Sequence, residues 1–377
     1  MKKALVYITL SLIIISIILV KYKSDYYSPE LSKSASSQVV PGIREIRKGN
    51  FVFPRDHASH NDFRTEWWYF SGNMSDPDGK KFGYEFTVFR KRISFNSQGD
   101  TAGSRADNMY LAHFALTDAA GGKFHYKAKY TDGSVNDAGS SANPFKVWVH
   151  DCSVTANYNK GDYLKPDFNL NASAPGYSAE LILHSLKDLV PEGDNGISRK
   201  GSGKDEYSNY YSITRLSANG TIKIGDNKYT VSGTSWLDRE WSNLDLSEPS
   251  IISWDWFSIQ LDNDCELMFY NIRNTDNSAG RYSSGNLIYK DGRTEKLTGS
   301  DLRIGILGYW ESDTHRVYPS GWKMSIPKHA ISLTILPLLK DQELQFSVDY
   351  WEGAVNVKGT YLGKEISGRG YVELTGY

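Results

Sequence analysis

The sequence predicts an all-β protein of two barrel-like domains in tandem, behind an amino-terminal membrane helix. Three observations carry this reading. Aromatic residues make up 13% of the 377 residues, with 33 Gly, a mixture that suits pleated faces joined by tight turns. Apolar side chains recur with period two, and no helical period of any length follows residue 20. The two halves of the chain also repeat one pattern.

The elements follow in order. Ala4–Val20 (ALVYITLSLIIISIILV) is the one long apolar run, about 25 Å as a helix, enough to cross a thin bilayer. Lys2 and Lys3 precede it, and no small-x-small cleavage site follows closely. This predicts an uncleaved signal anchor over residues 1–23, with the bulk of the chain outside the cytoplasmic membrane. Residues 24–50 are Ser-, Lys- and Pro-flavoured and read as a tether. From Phe51 onward, Phe82, Tyr84, Phe86 and Val88 alternate with Gly83, Glu85, Thr87 and Phe89, as in a strand with one buried face. Ile331, Leu333 and Ile335, then Val355 and Val357, do the same. Turn signals separate such runs: DPDG at 76–79, AAGG at 119–122, SANG at 217–220, LDND at 261–264 and YKDG at 289–292. The polar, Gly-rich stretch 184–206 reads as a long surface loop.

The repeat sets the domain border. Trp68-Tyr69-Phe70 leads to Phe86–Arg90, and Asp255-Trp256-Phe257 leads to Phe269–Arg273. Phe70 to Arg90 is 20 positions and Phe257 to Arg273 is 16, a difference one hairpin absorbs. Trp236-Leu237-Asp238 after Gly233 matches Tyr371-Val372-Glu373 after Gly370. The predicted domains are 51–243 and 244–377. A barrel of about eight strands can hold one small ligand.

Composition narrows the function. Lys+Arg is 43 against Asp+Glu 44, without basic blocks, which argues against nucleic acid as a partner. Hydrophobic residues at 40% and charged residues at 23% exclude a disordered chain. Cys152 and Cys265 read as two separate buried thiols, with one bridge as the alternative.

The densest chemical cluster is HASHNDFRTEWWYF at 57–70. On a strand Glu66, Trp68 and Phe70 share one face while Trp67 and Tyr69 share the other. Glu66 beside indoles is expected to be desolvated, with a raised pKa suited to donating a proton. The competing expectation is a structural Glu paired with Arg64 or Arg90. In WLDREW at 236–241, Asp238 and Glu240 share one face, and Arg239 and Trp241 the other. Two carboxylates so placed suit acid/base work or sugar hydrolysis, or an ion-pair ladder at the domain border. Trp254-Asp255-Trp256 and Tyr350-Trp351-Glu352 again set acids against indoles. His57 and His60 could bind a metal with Asp62 or Glu66, but HxxH without further ligands is a weak signal; no metal and no cofactor are expected. His113, in an apolar strand, reads as a satisfied core histidine.

These stretches, in this order, resemble the AttH/CrtC-like family, which includes carotenoid 1,2-hydratases. The resemblance rests on DHASHNDFRTEWWYFSGN (56–73), MYLAHFALTD (109–118), GTSWLDREWS (233–242), WDWFSIQL (254–261), YPSGW (318–322), YWEGAV (350–355) and GRGYVELTGY (368–377). It implies two lipocalin-like (calycin) barrels with a cleft where they meet. Hydratases of the family add water to isoprenoid double bonds without a cofactor. In that branch the position of Arg239 is held by His, and Arg cannot shuttle protons, so the AttH-type branch, associated with ABC transport, fits better.

The expected site thus has Glu66, Asp238 and Glu240 as catalytic acids. His57, His60, Trp67, Trp68, Tyr69, Arg90, Arg239, Trp241, Trp254, Trp256, Tyr318, Trp322, Trp351 and Glu352 are expected to bind an apolar, isoprenoid-like or lipid-like ligand. The alternatives are a non-catalytic accessory of an ABC transport system and a carbohydrate hydrolase.

Overall fold

The computed structural model describes residues 46–92, 108–131, 137–158, 161–244, 253–274, 279–346 and 349–377. The apolar run at 4–20 and nearly all of the tether lie outside the described residues.

Two curled, lipocalin-like antiparallel sheets make up most of the described chain, beside two short two-stranded ones, Ile46–Lys48 with Phe51–Phe53 and Tyr309–Glu311 with Val317–Pro319. The first has 13 strands, from Thr65–Ser75 to Asn227–Ser242. The second has 10, from Trp254–Leu261 to Lys364–Leu374. Each sheet wraps its own apolar core. Phe70, Phe86, Val147, Leu181 and Leu237 belong to the first core, and Phe257, Phe269, Leu333, Val355 and Val372 to the second. The repeat is visible in the register. Phe70 stands opposite Phe86 and Leu237; Phe257 stands opposite Phe269 and Val372.

The turn signals at 76–79, 119–122, 261–264 and 289–292 fall between consecutive strands. SANG at 217–220 does not: it lies within the strand Tyr207–Ile224. A Cβ on Gly220 would stand 2.0 Å from the Glu180 carbonyl oxygen, so this glycine admits a neighbouring strand rather than a reversal.

The central strands have two buried faces, not one. In Lys81–Arg92, Phe82, Phe86 and Val88 enter the first core. Glu85 and Thr87, on the opposite face, are equally buried. The second sheet covers that face: a Cβ on Gly83 would meet the Ala354 Cβ at 2.3 Å. Tyr69, Trp236, Trp256, Met268 and Tyr371 form a third cluster from both sheets.

The stretch 184–206 is a strap rather than a plain surface loop. Val190–Pro191 and Ile197–Arg199 pair with Tyr207–Ile224, and Leu189, Val190, Glu192 and Ser198 are buried. Lys187 Nζ donates to Glu266 (2.7 Å), and Asn286 donates to Glu192 (2.5 Å), tying the strap to the second sheet. Cys152 and Cys265 are free and buried.

Candidate functional site

A cavity of 200 Å³ lies where the two sheets face each other. Register builds its walls. In the first sheet Ser212, Asp238, Tyr69, Thr87 and His113 lie opposite one another on successive strands. In the second sheet Glu352, Glu373, Trp256, Tyr270 and Ser284 do the same. Because Phe70 corresponds to Phe257, Tyr69 corresponds to Trp256, Asp238 to Glu373, and His113 to Ser284. Two residues before each aromatic stand Trp67 and Trp254, and both indoles line the cavity. Tyr69 meets Trp256 edge-on at 5.2 Å.

Asp238 is held by three donors. Tyr210 Oη (2.5 Å), Ser212 Oγ (2.6 Å) and Trp236 Nε1 (2.6 Å) all donate to its carboxyl. Burial pushes its pKa up to about 7, against these hydrogen bonds and with help from Glu240. Glu373 is likewise pushed up to about 7, first by burial, with a Trp254 hydrogen bond opposing and Glu240 and Asp238 adding. The pKa of Glu352 is raised well above the usual carboxylate range by burial and by Glu373 and Glu85. Tyr69 Oη donates to Glu352 (2.9 Å). Glu240 instead pairs with Lys200 at 3.1 Å and accepts from Ser208. Lys200 Nζ also stands 4.0 Å over the Tyr270 ring.

His113 lines the same cavity. Its Nδ1 is hydrogen-bonded to Tyr350 Oη across the sheets (2.6 Å), and its buried Nε2 has no partner. Burial lowers its pKa to about 3, so the ring is a neutral imidazole near pH 7. The expectation of a satisfied core histidine is corrected on this point.

Of the sequence-predicted residues, Trp67, Tyr69, Asp238, Glu240, Trp254, Trp256 and Glu352 meet at the cavity, and Arg90 borders it with its guanidinium turned to Glu66. The others lie elsewhere. Glu66 is fully buried on the first sheet's inner side, where Arg90 and Arg239 both donate to it and the His60 backbone N–H adds a third bond (2.9 Å). Burial raises its pKa, but Arg239, His60 and Arg90 outweigh that and hold the carboxyl well below the usual range. The expected proton donor is therefore a locked carboxylate, and the Arg90 pairing is what the structure shows. Trp68 and Trp241 sandwich Arg239 there, at 3.9 and 5.0 Å. His60 stacks on Trp241 (3.8 Å). His57 is buried against Tyr211 Oη and the Tyr163 carbonyl. Tyr318, Trp322 and Trp351 fill the second core, because their strands turn those side chains away from the cleft.

Sequence reasoning missed Glu373, Lys200, Tyr210, Tyr270 and Tyr350, and misread His113. The repeat carried the signal for Glu373, since it aligns that residue with Asp238. Among the described residues no group of three or more His, Cys, Asp or Glu could hold a metal ion.

The AttH-like family pattern matches residues 44–377. The chain belongs to the AttH-like family. An AttH protein of Nitrosomonas europaea has a similar structure, with 32% identity and a TM-score of 0.74 over 90% of this chain and 99% of that one. Kievitone hydratase from Nectria haematococca shares the fold at 14% identity and a TM-score of 0.66, over 89% of this chain and 94% of that one. None of the curated proteins matches this AttH-like chain.

Proposed function

We propose that the AttH-like cleft binds an apolar, unsaturated small molecule and protonates it, giving hydratase or cyclase chemistry without a cofactor. One observation carries this: Asp238 and Glu373, equivalent acids from the two halves, face an indole-lined cavity with pKa values near neutrality. At pH 7 such a pair supplies one carboxylic acid and one carboxylate. The neutral acid gives its proton to one alkene carbon and becomes a carboxylate. The faces of Trp67, Trp254 and Trp256 stabilise the cation left on the other carbon. Water then forms the C–O bond, held by His113 Nε2, and its surplus proton returns to the carboxylate, which restores the acid. Attack by a second double bond in place of water closes a ring and moves the cation to a new carbon, which loses an adjacent proton to the carboxylate and so restores the acid. Kievitone hydratase, whose fold is shared, is by name a hydratase. In this reading the run at 4–20 places the domains at the outer face of the cytoplasmic membrane.

The test is turnover of isoprenoid alcohols followed by mass spectrometry for hydrated or cyclised products. Asp238→Asn and Glu373→Gln should each lower turnover about 10²–10⁴-fold in protein that still folds. The rate should fall as pH rises past about 7. Variants with unchanged turnover remove the acid roles. Bound lipid released intact, with no product, assigns a carrier for a transport system instead.

A further inference from the structure

Beside the cleft lies a second, polar groove of 450 Å³. We propose that it holds the anionic head of an amphiphile, phosphate in type, whose apolar part occupies the cleft. This rests on the ligand-binding reading above and names its substrate class.

One cross-strand row runs under both spaces, and Tyr270, hydrogen-bonded to Ser198 of the strap (2.8 Å) and covered by Lys200, stands between them. Glu373, Trp256, Tyr270, Ser284 and Thr298 lie opposite one another on successive strands of the second sheet. Glu373, Trp256 and Tyr270 line the cleft; Tyr270, Ser284 and Thr298 line the groove. Tyr270 belongs to both. At about 4.8 Å per strand, Trp256 and Thr298 are roughly 14 Å apart, comparable to an extended farnesyl chain. The strap supplies a cation to each side. Side chains alternate along an extended segment, so Lys200 faces the cleft and Arg199 the groove.

Charge then separates the two. The groove is lined by Arg199, Arg281 and Lys296 against one carboxylate, Asp194. Among the described residues none of the three cations forms an ion pair. Arg281 packs over Tyr282 (6.0 Å), and Arg199 over Tyr207 (5.7 Å) while donating to the Gly203 carbonyl. Guanidinium groups match phosphate oxygens in pairs. The cleft, with its indoles and buried acids, would exclude a charged head, and the groove is the adjoining place to put it.

Quenching of the cleft tryptophans reports the test. Wild-type protein is titrated with farnesol, farnesyl phosphate, lysophosphatidic acid and inorganic phosphate. At low salt a phosphate-headed ligand should bind at least about tenfold tighter than farnesol, and the ratio should shrink in high salt. The exposed double variant Arg281→Gln/Lys296→Gln should bring the ratio near one with farnesol affinity unchanged. Tighter binding of either phosphate amphiphile supports the groove, and the tighter of the two assigns the tail. Equal affinity for farnesol and both phosphates, or a preference that survives in the variant, overturns the groove and leaves the cleft reading intact. If farnesol fails to bind, the cleft reading falls. Inorganic phosphate held by wild type and lost in the variant would then mark a bare anion site, which overturns the amphiphile.

Discussion

Glu66 and Asp238 share one sequence signature, an acid among tryptophans, and meet opposite fates a few residues apart in space. Asp238 stands beside Arg239, whose side chain points the other way and donates to Glu66. Glu66 is completely buried with two guanidinium partners. Asp238 is nearly as buried, but its partners are two hydroxyls and an indole. One carboxyl is locked as an anion; the other is pushed up to about 7. Burial alone does not decide protonation. For these two acids the guanidinium partners of Glu66 do.

The largest test of this contrast removes the cation. Arg239→Met leaves Glu66 as a buried, under-compensated charge and should cost about 3–5 kcal/mol of unfolding free energy in urea at pH 7. The Glu66 pKa is depressed, so its contribution is present above the unfolded value of 4.5 and is lost as pH falls. The variant's deficit should therefore narrow in acid. A deficit below about 1 kcal/mol at pH 7 would mean the pair is not what holds this region. A smaller effect of opposite sign is expected at Glu192, a buried acid like Asp238 with no cation bonded to it. Asn286 donates to one of its oxygens and the other has no partner. Burial raises its pKa from 4.5 to about 8, with Asp238 adding. The wild-type protein thus loses stability as pH rises across that window. Glu192→Gln should stabilise on the order of 2 kcal/mol at pH 9 and give no gain at pH 4, read from melting curves; a gain equal at both pH values contradicts the assignment. The smallest effect belongs to Tyr350→Phe. It removes the bond to His113 Nδ1 and should cost about 1 kcal/mol, with no pH dependence between 6 and 9 because the imidazole stays neutral. A titration appearing in that range would show that the ring is charged.

Much of the architecture was legible. The repeat aligned Phe70 with Phe257 and Leu237 with Val372, and the cross-strand pairs have that register. Period two separated Asp238 from Arg239 and Tyr69 from Trp68. What it could not say is which face looks where. A strand with one wet side announces its core side by polarity, but Lys81–Arg92 and Asn227–Ser242 are buried on both sides near the cleft. Sequence alone therefore groups Trp322 and Trp351 with Trp254 and Trp256, although they lie in a different core. His113 was misread for the same reason. The strap at 184–206 looked like a loop because Gly and charged residues break its pattern. Its buried groups, Glu192 and Ser198, become intelligible only against Asn286 and Tyr270 of the other sheet.

Equivalent rows of the two sheets meet across the cleft. In a closed dimer of identical subunits every substitution is made twice, and both walls of a shared cavity change together. Here a single polypeptide supplies both walls. Asp on one side can face Glu on the other, and an imidazole can stand where its counterpart is a serine. Left-right bias of this kind lets a chamber with near-symmetric walls treat the two ends of a ligand differently.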